Sequence, residues 1–319
     1  MSDEFKKMNE YGSKRIPFLF IISYDKSEVF ICKFEDLGKN NVRFLISNRS
    51  EEIPKEFVFT FNPIDYSDYL SSFNKVKKHL ELGDSYLLNL TFQTEINTNL
   101  NLDEIFIYSQ APFKLLFQNQ FVCFSPEQFV KIIGNKISTN PMKGTIESNI
   151  PNAEQILMNS KKELDEHYTI VDLLRNDLSL VASHVRVEKF RYIDKVVTNR
   201  GEIFQTSSLI SGILPEDWNK NIGDILNKIT PAGSVTGAPK IRTCELIDNI
   251  ENYKRGFYTG IAGIYDGVNL ESYVLIRYIE NQNGKLYFKS GGGITTQSKA
   301  ELEFKELMSK IYVPIIRNN

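Results

Sequence analysis

Cysteine is nearly absent from this 319-residue chain. Cys32, Cys123 and Cys244 lie far apart in no metal-ligand spacing. A disulfide framework is therefore excluded, and a reducing compartment is expected. Histidine is as scarce: His79, His167 and His184 form no triad or metal pattern, and each reads as a structural or surface group. No nucleophile elbow surrounds a serine. Excess charge is missing too. A formal net charge of −2, with both signs interspersed, offers no basic field for nucleic acid. No stretch approaches the roughly 20 apolar residues of a membrane span. The opening MSDEFKKMNEYGSKR lacks the apolar centre of a secretion signal. A cytoplasmic protein is expected. Internal repeats and low-complexity tracts are absent as well.

What is present is ample core material, with 41% of residues hydrophobic. Short β-like runs, FLFIISY (18–24) and EVFICKF (28–34), alternate with polar turns near the start. Helical spacing over 66–82 stops at Gly83, a plausible C-terminal glycine. Further strands are predicted at 85–96, 113–118, 128–133, 257–266, 272–280 and 285–291. Ser160 and Glu163 form a capping-box pattern that opens a long helix. A second helix follows Pro239. Ser298 and Glu301 predict a third, running through ELEFKELMSKIY. Strands and helices without strict alternation point to an α+β layered fold. A short β-rich lead-in over 1–65, packed on the same domain, is expected to precede the main domain over 66–319.

The last helix holds the clearest local chemistry. Glu303, Glu306 and Lys310 stand at i, i+3 and i+7 and share one face, apart from the stripe of Phe304, Met308 and Ile311. Alone, that face reads equally as solvated charge; functionally, it is a carboxylate pair for a hard cation beside a lysine for an anion. Upstream, KSGGGITTQSKAE sets three glycines before a helix start, where backbone N–H groups and the helix dipole favour an anion. PAGSVTGAPK (231–240) repeats the arrangement, with hydroxyls at Ser234 and Thr236. Placed near Glu303 and Glu306, Glu166 would complete an oxygen-rich site suited to Mg²⁺.

In this order, the blocks SPEQF, NPMKGT, DEHYTIVDLLRNDL, PAGSVTGAPKIR, RGFYTGIAG, LIRY and SGGGITTQSKAELEFKEL resemble the chorismate-utilising enzymes. That family includes anthranilate synthase component I, aminodeoxychorismate synthase component I, and the isochorismate and salicylate synthases. The resemblance covers about residues 70–315 and implies a chorismate-binding fold, with core β-sheets flanked by outer helices, and a Mg²⁺ requirement. By position it implies metal carboxylates at Glu166 and Glu306, with Glu303 helping through water. The ion would grip the ring carboxylate and stabilise charge as the C4 hydroxyl departs. Arg277 and Tyr258, with backbone groups of Gly291 and Gly293, resemble contacts to the enolpyruvyl carboxylate. Gly144, Thr145, Ser234 and Lys310 fall on other substrate-contacting positions.

Lys143 separates the branches. Anthranilate synthases resemble P-I-A-G-T here, whereas Pro141-Met142-Lys143-Gly144-Thr145 is the lysine form of aminodeoxychorismate synthases. That form implies amination of chorismate at C4 with retention: the lysine adds at C2 as the C4 hydroxyl leaves, then ammonia enters at C4 and expels it. The lysine must be uncharged, which its surroundings have to bring about. Glu127 matches an acid/base residue that helps the hydroxyl depart. Leu87 stands where the water-adding relatives carry an activating lysine, and Gln205 where anthranilate synthases carry a histidine. The short N-terminal part leads us to expect no full tryptophan-binding subdomain. No glutaminase machinery is evident, so the resemblance implies ammonia from a separate glutamine amidotransferase subunit, on the route to 4-aminobenzoate and folate. Two other readings stand beside this one: anthranilate synthase component I, and a non-catalytic small-anion-binding module.

Overall fold

The computed structural model describes residues 2–48, 56–198 and 201–315. Its organisation follows from strands that are apolar at every position. Phe18–Ile22 is buried throughout, and its alternate side chains enter different layers, as the two-residue period of a strand requires. Leu19 and Ile21 join Phe113, Leu115, Phe121 and Cys123 between two sheets. Phe18, Phe20 and Ile22 face the other way, among Ile170, Leu174 and Leu226 of outer helices. Val122 and Phe124 likewise point away from their neighbours, toward helix Leu102–Tyr108.

Among the described residues, one sheet has nine strands and the other eight. In the first, Met142–Glu147 lies at an edge beside Gly201–Ile213, and the sheet continues through Gln128–Ile133, Leu270–Val274 and Ile261–Tyr265 to Phe18–Ile22 and Val29–Lys33. In the second, Leu87–Thr98 pairs with Lys285–Ile294, which leads through Tyr278–Gln282 and Phe121–Ser125 to Ala111–Phe117 and Val42–Asn48. Every pairing is antiparallel. Helices Lys161–Ser179 and Ile222–Ile229 cover the first sheet; Tyr66–Glu81, Lys240–Ile250 and Ala300–Ser309 cover the second. The predicted α+β fold, with sheets inside and helices outside, is what the chain adopts.

Residues 18–61 supply strands to both sheets. The charged opening segment forms a helix, Asp3–Ser13, that sequence patterning missed. It buries Phe5, Met8 and Gly12. A β-carbon on Gly223 would meet Phe5 O at 2.0 Å, so the two helices touch backbone to backbone.

Three predicted elements need correction. The run 272–280 is not one strand: Leu270–Val274 ends in one sheet and Tyr278–Gln282 begins in the other. Arg277 sits at the crossing with φ +53°. Only Ile261–Tyr265 of the run 257–266 is strand, because Thr259 takes φ +60° just before it. Finally, the last helix begins at Ala300 without a side-chain cap and ends at Ser309. Ser298 instead accepts from the Thr295 N–H at 3.2 Å, which uses its hydroxyl in the preceding turn. By contrast, Ser160 does cap Lys161–Ser179, accepting from Glu163 N at 3.3 Å.

Candidate active site

The two sheets and the helices that cover them enclose a cavity of about 310 Å³. Its lining includes every site residue singled out from sequence: Lys143, Glu127, Gly144, Thr145, Ser234, Tyr258, Arg277, Gly291, Gly293 and Lys310, together with Glu166, Glu303 and Glu306. Residues as far apart in the chain as Asn89 and Lys310 thus reach one space. Gln205 lines it as well. Leu87 packs beside it, its Cδ1 being 3.0 Å from where a Gly293 β-carbon would stand.

Lys143 is set by a break in strand pairing. Met142–Glu147 pairs with Gly201–Ile213, and the register shifts between Lys143 and Thr145. Gly144 absorbs the bulge at φ +74°, a left-handed conformation that glycine adopts without cost. The Thr206 hydroxyl donates to the Lys143 carbonyl and fixes the backbone there. Gln205, opposite Thr145, directs its amide toward the Met142 sulfur at 2.8 Å.

The glycine run is placed differently from the sequence expectation. Gly291, Gly292 and Gly293 are not a loop at a helix start. They lie within Lys285–Ile294, opposite Thr91, Leu90 and Asn89. Ser234 similarly belongs to a tight turn, Gly233–Val235, that precedes helix Lys240–Ile250 by several residues. Helix Lys240–Ile250 contributes nothing to the lining, and the first turn of Ala300–Ser309 enters it only through the acid Glu303. Positive charge comes instead from side chains: Lys143, Arg277 and Lys310. The bare glycine backbone makes room for them. Lys310 donates to Gly291 O at 2.9 Å and pairs with Glu306 at 2.8 Å. Burial pushes the Lys310 ammonium below its usual pKa, while Glu306 opposes the shift. The Arg277 Nε is buried without a hydrogen-bond partner, a donor still to be satisfied. Its guanidinium stacks over the Tyr312 ring at 5.5 Å.

Four carboxylates face these three cations: Glu127, Glu166, Glu303 and Glu306. Burial raises the Glu127 pKa, and the Ser234 hydroxyl, Lys143, Arg277 and Lys310 pull the other way. Glu127 is therefore suited to hold a proton. Glu166 comes from helix Lys161–Ser179, while Glu303 and Glu306 come from Ala300–Ser309. Among the described residues, no three His, Cys, Asp or Glu groups converge closely enough to hold an ion unaided. Glu166, Glu303 and Glu306 nonetheless share the lining of one cavity. That donor chemistry still fits Mg²⁺, which keeps several waters and takes only one or two carboxylates beside ligand oxygens.

The chorismate binding enzyme family matches residues 32–315. This chain belongs to that family. An uncharacterised PabA-like protein of Haemophilus influenzae is 50% identical, covering 99% of the chorismate-binding chain and 97% of its own length. Aminodeoxychorismate synthase component 1 of Bacillus subtilis is 30% identical over 82% of the chain, which spans 58% of that relative. Among solved structures, the menaquinone-specific isochorismate synthase of Escherichia coli superposes with a TM-score of 0.74, covering 97% of this chain and 79% of its own at 15% identity. At that identity the likeness establishes the fold alone.

Some residues of the cavity were not singled out from sequence: Asn89, Thr259, Val235 and Ile276. Val235, Thr259 and Ile276 lie within the quoted motifs, next to Ser234, Tyr258 and Arg277, which hinted at a place in the lining. Asn89, two residues after Leu87, lies outside them.

Proposed function

We propose that the chain aminates chorismate at C4, forming 4-amino-4-deoxychorismate through a covalent adduct on Lys143. One observation carries this reading: Lys143 lines one cavity with Glu127, whose pKa burial raises, and the two act on each other electrostatically. The relative named aminodeoxychorismate synthase component 1 supports it. Chorismate is a dicarboxylate, and Arg277 with the glycine backbone suits its side-chain carboxylate, where planar bidentate contact is available.

The chemistry then runs on the chain's own groups. The uncharged Nζ of Lys143 attacks C2, the ring double bond shifts, and the C4–O bond breaks. Glu127 gives its proton to the departing oxygen, which leaves as water. Ammonia adds at C4, the double bond returns, the C2–N bond breaks and Lys143 is released. Glu166 and Glu306, with Glu303 through water, are the residues to hold Mg²⁺, which would supply Lewis-acid stabilisation at the ring carboxylate and departing oxygen. Leu87, an apolar group beside Gly293, offers no base to activate water at C2. The cavity lining contains no cysteine for glutamine hydrolysis. Ammonia is accordingly assigned to a separate glutamine amidotransferase, and the product to 4-aminobenzoate formation.

Purified chain supplied with chorismate, Mg²⁺ and ammonium tests the reading by product analysis. The expected product retains its enolpyruvyl ether. Release of pyruvate with anthranilate would overturn the assignment.

A further inference from the structure

The turn that carries Ser234 is held from both flanks by charged groups that do not line the cavity. On one flank, Gly233 N donates to Asp177 Oδ2 at 3.0 Å. Asp177 is 3% exposed and projects from Lys161–Ser179, the helix that also bears Glu166. Its other oxygen pairs with Lys240 at 2.6 Å, and Lys240 in turn donates to Ile229 O at 3.1 Å. On the other flank, Val235 O accepts from Arg255 Nη1 at 2.8 Å.

Arg255 reaches further than this turn. It is 4% exposed. Nη2 donates to Asn89 O at 2.7 Å, and Nη1 also to Thr259 Oγ1 at 3.2 Å. Glu251 takes the two remaining donors at 2.8 and 2.7 Å. All five N–H groups of the guanidinium are thereby used. Asn89, Val235 and Thr259 belong to three separate segments, and all three line the cavity. Glu251 is itself anchored, accepting from Thr91 N and Thr91 Oγ1 at 2.8 Å each. The guanidinium rests on the Tyr24 ring at 4.5 Å. Such a network over-determines the backbone it touches. An ion pair serving stability alone would not need to spend three donors on three walls of one cavity.

We propose that Asp177 and Arg255 are positioning residues that grip the Ser234 turn from opposite sides and hold Ser234 against Glu127. The grip is a property of the structure; its consequence for turnover rests on the chorismate reading above. Lysine cannot replace Arg255, because one ammonium cannot span these separated acceptors.

Two arms test the proposal. In the first, backbone hydrogen exchange is followed in residues 232–238 for Asp177→Ala, Asp177→Asn and Arg255→Lys. Asp177→Ala and Arg255→Lys should speed exchange there at least about tenfold while Asp3–Ser13 keeps its protection. Asp177→Asn, which retains an acceptor for Gly233 N, should fall between them and the native chain. Unchanged exchange in the turn would overturn the grip. In the second arm, kcat/KM for chorismate should fall about 10- to 100-fold in Asp177→Ala. Ser234→Ala combined with Asp177→Ala should be no slower than Ser234→Ala alone, because both act through one hydroxyl. Additive losses would show that Asp177 acts elsewhere and overturn the assignment. If the native chain turns over no chorismate, the proposed function fails, and the exchange arm alone decides the grip.

Discussion

Gly144 and Glu163 stand so close that a β-carbon on the glycine would lie 2.7 Å from the glutamate Oε2. The helix that carries Glu166 is therefore pressed against the bulge next to Lys143. The strand that carries Lys143 and the helix that carries Glu166 meet at this contact.

Gly144→Ala should consequently do two kinds of harm. The left-handed φ of +74° costs about 1 kcal/mol for a residue with a β-carbon. The added methyl would also push aside the Glu163 carboxylate and crowd Leu157 Cδ1, 3.1 Å away, beside Lys143. We expect a loss of stability of about 1–3 kcal/mol, measured by urea unfolding, and a larger fall in kcat/KM than that loss explains. A fully active, fully stable variant would show that the bulge does not set Lys143.

Lys143→Ala and Lys143→Arg separate nucleophile from charge. Arginine keeps a positive charge that opposes the rise in the Glu127 pKa but forms no such adduct. Both variants should lose amination by about 10³-fold or more, while chorismate still binds. Retention of the rate by Lys143→Arg would mean that charge alone suffices.

Glu127→Gln should change how stability depends on pH. Burial raises the Glu127 pKa in the folded chain, so the folded chain keeps a proton that the unfolded chain releases. Native stability falls as pH rises from the ordinary glutamate range through the raised value, then levels off. Glutamine removes that titration. The stability advantage of the variant should grow from acid to neutral pH in paired unfolding curves, while its turnover falls by about 10²-fold or more. A pH-independent difference would place Glu127 in an ordinary aqueous setting.

Chelation addresses Glu166, Glu303 and Glu306. Turnover should stop in excess chelator and return with Mg²⁺. Glu306→Gln should raise the Mg²⁺ concentration needed for half-maximal rate by about 10-fold or more. Full activity in chelator would remove the ion from the scheme.

Much of this site was legible because its parts are contiguous motifs. Lys143 declared itself by its neighbours Pro141, Met142 and Gly144, and the Glu303, Glu306 and Lys310 face by helical spacing. What sequence concealed was backbone path. A run such as SYVLIRYIE has the apolar density of one strand, yet it crosses between sheets at Arg277. Three glycines before a helix suggested a loop, but pairing with Thr91, Leu90 and Asn89 keeps them in a strand. Local pattern does not register such long-range pairing. The Arg255 network was hidden for the same reason: two of its acceptors, Val235 O and Asn89 O, are backbone carbonyls far apart in the chain.

Incubation of the chain with chorismate and Mg²⁺ while ammonia is withheld, followed by peptide mass analysis, tests the central claim most directly. The account predicts a mass gain of chorismate less one water on the peptide containing Lys143, discharged when ammonium is added. Steady amination by a chain whose Lys143 peptide never gains that mass would contradict it.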